Sequence, residues 1–480
     1  GTAITSVGNS ALFVPANGES LTRTEVAGTS NKQQFISFWF YWTDPGHNSL
    51  QFLFECDDGS SSNRDYITTQ STGKLNFISI TGASQKANLA TTQVFRDIGW
   101  YHIELILDTT KAVATDRQIL IVNGERVTSF VTETKFSLND TFGALGSVGD
   151  TFRWGAYLGS PYYYFDGYIA EIVRIDGDPT GISTGEYDTT GLYWTPKSSS
   201  SIKALTFGNN GFYLDNTTNA QTDASGEGHN FTNNNTVTTS THTPTNVFGL
   251  LNPLNSGGIG TLSNGNRTYA DSGATRVMST ISLPATGKFY FEGTLSSFAN
   301  GVAFGIAEPG GDGTSTFLGG DYAGISVQSG PAGRYYRFSS TRNDIPTSGT
   351  NALTEVADTL MLAVDCAEGK IWIGFYDNSL DASRWIDASD NYQTGDQPAS
   401  GNNATIDLGT TLLGYQFAVN SAGSIAITVN MGDVAYTRTA PAGFGSLNTT
   451  NMAADITRTA SDTNKYFQTT LYEGSGGVQR

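Results

Sequence analysis

The residues whose types and spacing come closest to a catalytic pair are Glu104 and Asp108. In the run Tyr101 to Asp108, strand alternation sets His102, Glu104 and Asp108 on one face and Tyr101, Ile103, Leu105 and Leu107 on the other. Two carboxylates on one sheet face hydrolyse glycosides when they stand about 5 to 5.5 Å apart for retention, or about 6.5 to 9.5 Å apart for inversion. The sequence signature of such hydrolases sets acids at three alternate positions, and here only Glu104 and Asp108 qualify, with Ile106 between them. We therefore read the polar residues of this strand as a solvated outer face and expect no catalytic residue. His47, His102, His229 and His242 show no H-x-x-x-H or HExxH spacing, so no zinc site is expected. No G-x-S-x-G, P-loop or G-x-G-x-x-G stands between a strand pattern and a helix pattern.

A second group suits binding rather than bond-breaking. Tyr157, Tyr162, Tyr163 and Tyr164 gather around Pro161, and Trp385 with Tyr392 forms a smaller group further on. Rings with polar tips stack on sugar faces and also dominate protein interfaces, so these six are the candidate glycan- or partner-binding residues.

The elements that must position them are strands. From Asp358 to Asp377, Leu360, Leu362 and Val364 alternate on one side of Cys366-Ala-Glu-Gly369, and Ile371, Ile373 and Phe375 alternate on the other. This predicts a β-hairpin with one buried face. The first half has its own version, in which the Tyr101 to Asp108 run is followed by Gln118 to Val122 and the turn Asn123-Gly124. Phe35 to Trp42 is apolar on both faces, as a central strand covered on both sides would be. With Gly 56, Tyr 22, Phe 27 and only 15% charged residues, the composition fits many short strands and tight turns. At 480 residues the chain can bury two or three cores.

The charge narrows the partners. Acidic residues number 44 against 26 basic, and the net charge of −18 repels phosphate backbones, so no nucleic acid is expected. No run of about 18 apolar residues exists, and membrane insertion is not expected. The chain begins Gly1-Thr-Ala-Ile-Thr-Ser-Val-Gly8 without Met, a basic segment or an apolar one, so we expect a signal peptide to be absent or already removed. Cys56 and Cys366 fall in different halves and are read as buried free thiols.

Three stretches carry family resemblances. The order Gly99-Trp-Tyr-His-Ile103, Ile119-Leu-Ile-Val-Asn-Gly124 and Phe165-Asp-Gly-Tyr-Ile-Ala-Glu-Ile172 resembles the concanavalin A-like, laminin-G-like jelly-roll domains over about residues 1–180. Asp223-Ala-Ser-Gly-Glu-Gly-His-Asn-Phe231, Thr243-Pro-Thr-Asn246 and Leu251-Asn-Pro-Leu254 resemble a connector of marine bacteriophage virion proteins. Lys288-Phe-Tyr-Phe-Glu292, Gly301 to Ala307, Asp358 to Asp365, Ile425 to Gly432 and Pro441 to Asn448 resemble, in order, the strands of SPRY-like sandwiches. No cofactor is expected; the laminin-G likeness implies calcium as the alternative, at Asp215 and Asp223, but no spacing fixes a coordination shell and both are read as turn residues.

The expectation is an all-β chain of two antiparallel β-sandwiches. A laminin-G-like domain would span 1–180, a polar extended connector 181–256 and a SPRY-like domain 257–480. The resemblances imply a non-enzymatic structural or adhesive component of a bacteriophage particle, at the virion surface or otherwise extracellular. Its expected partners are other virion proteins, further copies of itself and host-surface glycan. The alternatives are a polysaccharide depolymerase on the jelly-roll scaffold and an extracellular bacterial adhesin or surface-layer component.

Overall fold

The computed structural model describes residues 6–452, apart from 44–49, 96, 158, 160–162, 190, 257–259, 274, 299–300, 309–321, 329–333, 339–341, 346–358, 378–380, 390 and 422. Tyr162, His47 and Asp358 therefore lie outside the described residues. The fold is all-β, with antiparallel strands stacked as two sandwiches, and the helices Ser199–Lys203 and Gln397–Ser400 are about one turn each. Among the described residues no helix is long and apolar enough to cross a membrane.

The first sandwich is centred on Gln33–Trp42, which lies between Trp100–Asp108 and Gly167–Asp176. Gln118–Val122 and Glu125–Arg126 extend this sheet on one side, and Ser10–Phe13 and Thr238–Ser240 extend it on the other. The facing sheet runs Phe130–Thr134, Ser84–Thr91, Leu75–Thr81, Arg64–Thr69, Gln51–Asp57, Thr151–Trp154, Ser20–Thr24 and Thr232–Asn234. Alternation decides what meets between them. Ile36, Phe38, Phe40 and Trp42, with Ile103, Leu105 and Leu107, share one core with Leu53, Phe54, Ile67, Phe77 and Trp154. Phe38 meets Trp154 edge-on at 5.2 Å. The second apolar face of Gln33–Trp42 is covered as well, Phe35 by Ile202 and Phe207, and Tyr41 by Tyr168 and Leu250. Asn123 and Gly124 both take positive φ, 49° and 83°, the geometry of a two-residue type I′ hairpin turn.

A fully buried ion pair, Arg174 with Glu25, stands inside this core, and Arg23 Nη1 lies 3.5 Å from the same Glu25 Oε1. Arg174 donates from Nη1 and Nη2 to Glu25 Oε1 and Oε2 at 2.8 and 2.9 Å, and from Nε to Gln34 Oε1 at 2.9 Å. Neither charged side chain is exposed, and the guanidinium lies 5.0 Å from the centre of the Phe152 ring.

The 181–256 stretch does more than cross between halves. Phe212–Leu214 pairs with Gly167–Asp176, Thr232–Asn234 with Ser20–Thr24, and Thr238–Ser240 with Ser10–Phe13, so it adds strands to both sheets of the first sandwich. The last two of these strands are polar and lack alternation, and backbone pairing at sheet edges holds them in place.

In the second sandwich, Thr359–Asp365 and Lys370–Asp377 form the expected hairpin in the register Leu362↔Ile373. Leu360, Leu362, Val364, Ile371, Ile373 and Phe375 are all buried in its core. Lys288–Phe298 pairs on the other side of Thr359–Asp365, and Gly301–Ala307 lies in the facing sheet. Cys56 and Cys366 are free and buried, one in each sandwich. The halves meet where Tyr168 Oη donates to Gly265 O at 3.0 Å, Asn266 Nδ2 to Thr43 O at 2.7 Å, and Ser240 Oγ to Asp433 O at 3.0 Å.

Glu25→Ala leaves the Arg174 guanidinium buried without its counter-charge, and the expected loss is about 3–5 kcal/mol in chemical denaturation. The double replacement Glu25→Leu with Arg174→Met is expected to recover most of that loss. A Glu25→Ala protein as stable as the parent would refute the assignment.

Candidate functional site

His102, Glu104 and Asp108 do lie opposite the core, but the expectation that they face solvent is corrected, since each is at most 1% exposed. The reason lies some eighty residues downstream, where the hairpin of Gly185–Tyr187 and Trp194–Pro196 and the residues before it cover this face. Ser183 Oγ and Thr184 N donate to Glu104 Oε1 at 2.7 and 2.8 Å. Trp194 Nε1 donates to His102 Nδ1 at 2.9 Å, and Trp39 stacks on the imidazole at 4.6 Å. An indole N–H only donates, so the imidazole proton sits on Nε2 and points to Thr184 Oγ1 at 3.0 Å. Burial pushes His102 down to about 3, and burial pushes the Glu104 carboxyl up against the hydrogen bonds from Ser183 and Thr184. Asp108 serves the strand's far end, accepting from Thr110 N at 3.0 Å and from Gln33 Nε2 at 3.2 Å. Four residues of strand separate the backbones of Glu104 and Asp108 by about 13 Å. Each acid is committed to its own local network.

The opposite sheet of the same sandwich holds a more promising arrangement. On Gln51–Asp57 a bulge lies between Phe52 and Phe54. It lets Leu53, Phe54 and Cys56 enter the core while Phe52, Glu55 and Asp57 share the outer face. The register sets Glu55 between Tyr66 on one neighbouring strand and Arg153 on the other, with Arg64 beside Asp57. Arg153 Nη1 bonds to Asp57 Oδ2 and stands 3.6 Å from Glu55 Oε2, while Arg64 Nη1 stands 3.9 Å from Glu55 Oε1. Neither Glu55 oxygen receives a hydrogen bond among the described residues, although the side chain is fully buried. Burial raises Glu55 to about 7, against the pull of Arg153 and then Arg64.

The hairpin of Ala156–Tyr157 and Tyr163–Tyr164 folds over this face. Tyr157 and Tyr163 stack on Phe52 at 5.0 and 6.0 Å and on each other at 6.0 Å. Arg64 lies over two rings, 4.9 Å from Tyr66 and 5.7 Å from Tyr157. Two of the aromatic residues singled out from the sequence thus meet a charged cluster that sequence reading missed. The signal was Glu55-Cys56-Asp57, two acids at alternate positions, hidden because every residue of the Gln51–Asp57 strand is buried.

The other candidates go elsewhere. Tyr164, half-buried, turns toward Gly18. Trp385 is 3% exposed and packs with Tyr290, Met361, Trp372 and Phe444, so it presents no ring face. Tyr392 meets Phe375 edge-on at 5.7 Å, as part of the second core's margin. Both oxygens of Asp223 are taken by protein donors, Oδ1 by Tyr213 N and Ser225 N, and Oδ2 by Ser225 Oγ and His229 N. Asp215 accepts from Thr217 and faces Lys203 at 3.3 Å. Among the described residues no group of three or more His, Cys, Asp or Glu side chains could hold a metal ion. A groove of about 660 Å³ at the junction of the halves is lined by Ser6, Thr241, Thr245, Asn246, Thr449 and Thr450 and offers neither a ring nor a charge.

Residues 17–176 match the Concanavalin A-like lectin/glucanases superfamily. No curated protein matches this chain. Among solved structures, a native heptameric SAP-like pentraxin from Limulus polyphemus aligns at 14% identity and TM-score 0.28, covering 37% of this chain and 79% of the other. Domains LG4-5 of the mouse laminin alpha1 chain align at 10% identity and TM-score 0.31, covering 93% and 89%. The SPRY domain of human HERC1 aligns at 9% identity and TM-score 0.26, covering 38% and 99%.

The neutral His102 makes a prediction about acid stability. Its native value lies below the unfolded one of about 6.5, so below that pH the unfolded chain takes a proton that the folded chain refuses. Its contribution is complete above about pH 6.5 and is lost as pH falls toward about 3, by up to about 1.4 kcal/mol per pH unit. His102→Gln should give a shallower fall in denaturation midpoint across that window, and an unchanged slope would show that His102 titrates normally.

Proposed function

We propose that this chain is a non-catalytic glycan-binding adhesive, and that its sugar contact is the outer face where the half-buried Tyr157 and Tyr163 lie over the buried Phe52 and Tyr66. The observation that carries this reading is the Tyr157–Tyr163 stack beside Arg64 and Arg153 on a rigid sheet. Ring faces suit the C–H surface of a pyranose, and guanidinium forks suit its hydroxyls and any acidic substituent. On the likeness of residues 223–254 to virion connectors, we place the adhesive on the surface of a bacteriophage particle. There, association with other virion proteins and with further copies would turn weak single contacts into avidity.

A second reading, polysaccharide hydrolysis, has one observation in its favour. Glu55 has a raised carboxyl two residues from Asp57 on the same face, as a general acid beside its partner would. Against it, Arg153 is bound to Asp57 and also lies close to Glu55, filling the gap where a glycosidase pair admits the anomeric carbon.

Tyr157→Ala is expected to weaken retardation on host-surface polysaccharide in affinity electrophoresis by about tenfold, roughly 1.4 kcal/mol, while Tyr157→Phe keeps it. Equal retardation of Tyr157→Ala and parent would remove this face as the contact. Sustained release of reducing ends, abolished in Glu55→Gln, would favour the hydrolase.

A further inference from the structure

The charge arrangement within this face says more about the ligand than its rings do. Arg64 is held loosely, since its nearest carboxylate oxygen is 3.9 Å away and its Nε has no hydrogen-bond partner among the described residues. Arg153 is in the same condition at Nε, and both side chains keep a solvent-exposed edge, 19% for Arg64 and 13% for Arg153. The charged and titratable groups facing Glu55 are Arg64 and Tyr66 from one neighbouring strand, Arg153 from the other, Asp57 on its own strand, and Tyr157 above. Two carboxylates and two guanidinia balance, so the face is neutral when Glu55 is ionised and carries one positive charge when it is protonated.

Resting on the glycan-binding reading, we propose that this face selects carboxylated sugars, uronate residues above all, and that Glu55 gates their binding by competing for Arg64. An incoming carboxylate takes the planar guanidinium that Glu55 holds without a proper hydrogen bond, while the sugar ring lies on Tyr157. A protonated Glu55 gives up that hold. The carboxyl of Glu55, raised to about 7 by burial, crosses between these states near neutrality. Binding an anion favours the protonated form, so affinity rises as pH falls through about 7 and levels off until the sugar carboxylates themselves take protons. The net charge of −18 opposes a polyanion at long range, but screening over about 8 Å at physiological salt leaves the local guanidinia to decide.

The test is calorimetry of the full chain with polygalacturonate and with neutral dextran, each at about pH 5.5 and about pH 8.5. The expected result is polygalacturonate binding about tenfold tighter at the lower pH, weak dextran binding without pH dependence, and loss of the pH dependence in Glu55→Gln. Arg64→Gln, which leaves Glu55 its Arg153 neighbour, is expected to lose the preference for polygalacturonate, and it serves as the readout where Glu55→Gln does not fold. Dextran and polygalacturonate binding alike would overturn the selectivity and leave the glycan-binding reading standing. A pH dependence that persists in Glu55→Gln would overturn the gate. Failure to bind either polymer at either pH overturns the selectivity and the gate; the glycan-binding reading falls with them only if host-surface polysaccharide also retards parent and Tyr157→Ala equally.

Discussion

The first sandwich depends on a charge pair placed where only apolar groups are cheap to bury. Arg174 and Glu25 join Gly167–Asp176 to the segment that follows Ser20–Thr24 in the facing sheet, with every guanidinium nitrogen engaged. A buried pair of this kind adds little net stability over apolar replacements, but removing one member is severe. Its value is in fixing position. Asp176, two residues on, accepts from Thr29 N, Ser30 N and Asn210 N, so the segments around Glu25 and Asn210 are tied to the same strand. With that end fixed, the sheet can present its outer face, including Glu55, Arg64 and Arg153, in one geometry.

Local periodicity made the cores legible. Ile103, Leu105 and Leu107, and likewise Leu360, Leu362 and Val364, face inward as their alternation requires, because a core face needs only the period of the strand itself. What covers the opposite face is not local. The His102 and Glu104 side chains read as solvated because nothing near them in sequence hides them, whereas Trp194, Ser183 and Thr184 do so from a distance. Trp385 shows the same gap from the other side, since its alternation partners gave no sign that Tyr290, Trp372 and Phe444 would enclose it.

The charged cluster escaped for a different reason. In Gln51–Asp57 the bulge breaks the period, and Phe52 on the outer face is as buried as Leu53 on the inner one. A strand with no exposed residue gives no polar alternation to read. The tyrosines around Pro161 were visible by composition, and the structure divides them. Tyr157 and Tyr163 stack over Phe52, Tyr164 pairs opposite Ala156 and turns away, and Tyr162 lies outside the described residues.

The two cysteines carry a consequence for following this molecule in solution. Burial raises the Cys366 thiol to about 12 and the Cys56 thiol well above its usual value, so neither offers thiolate to an electrophile while its sandwich is closed. Each half therefore contains its own chemical tag, silent until that half opens. Alkylation timed at the two positions separates the breathing of one sandwich from that of the other without adding a probe.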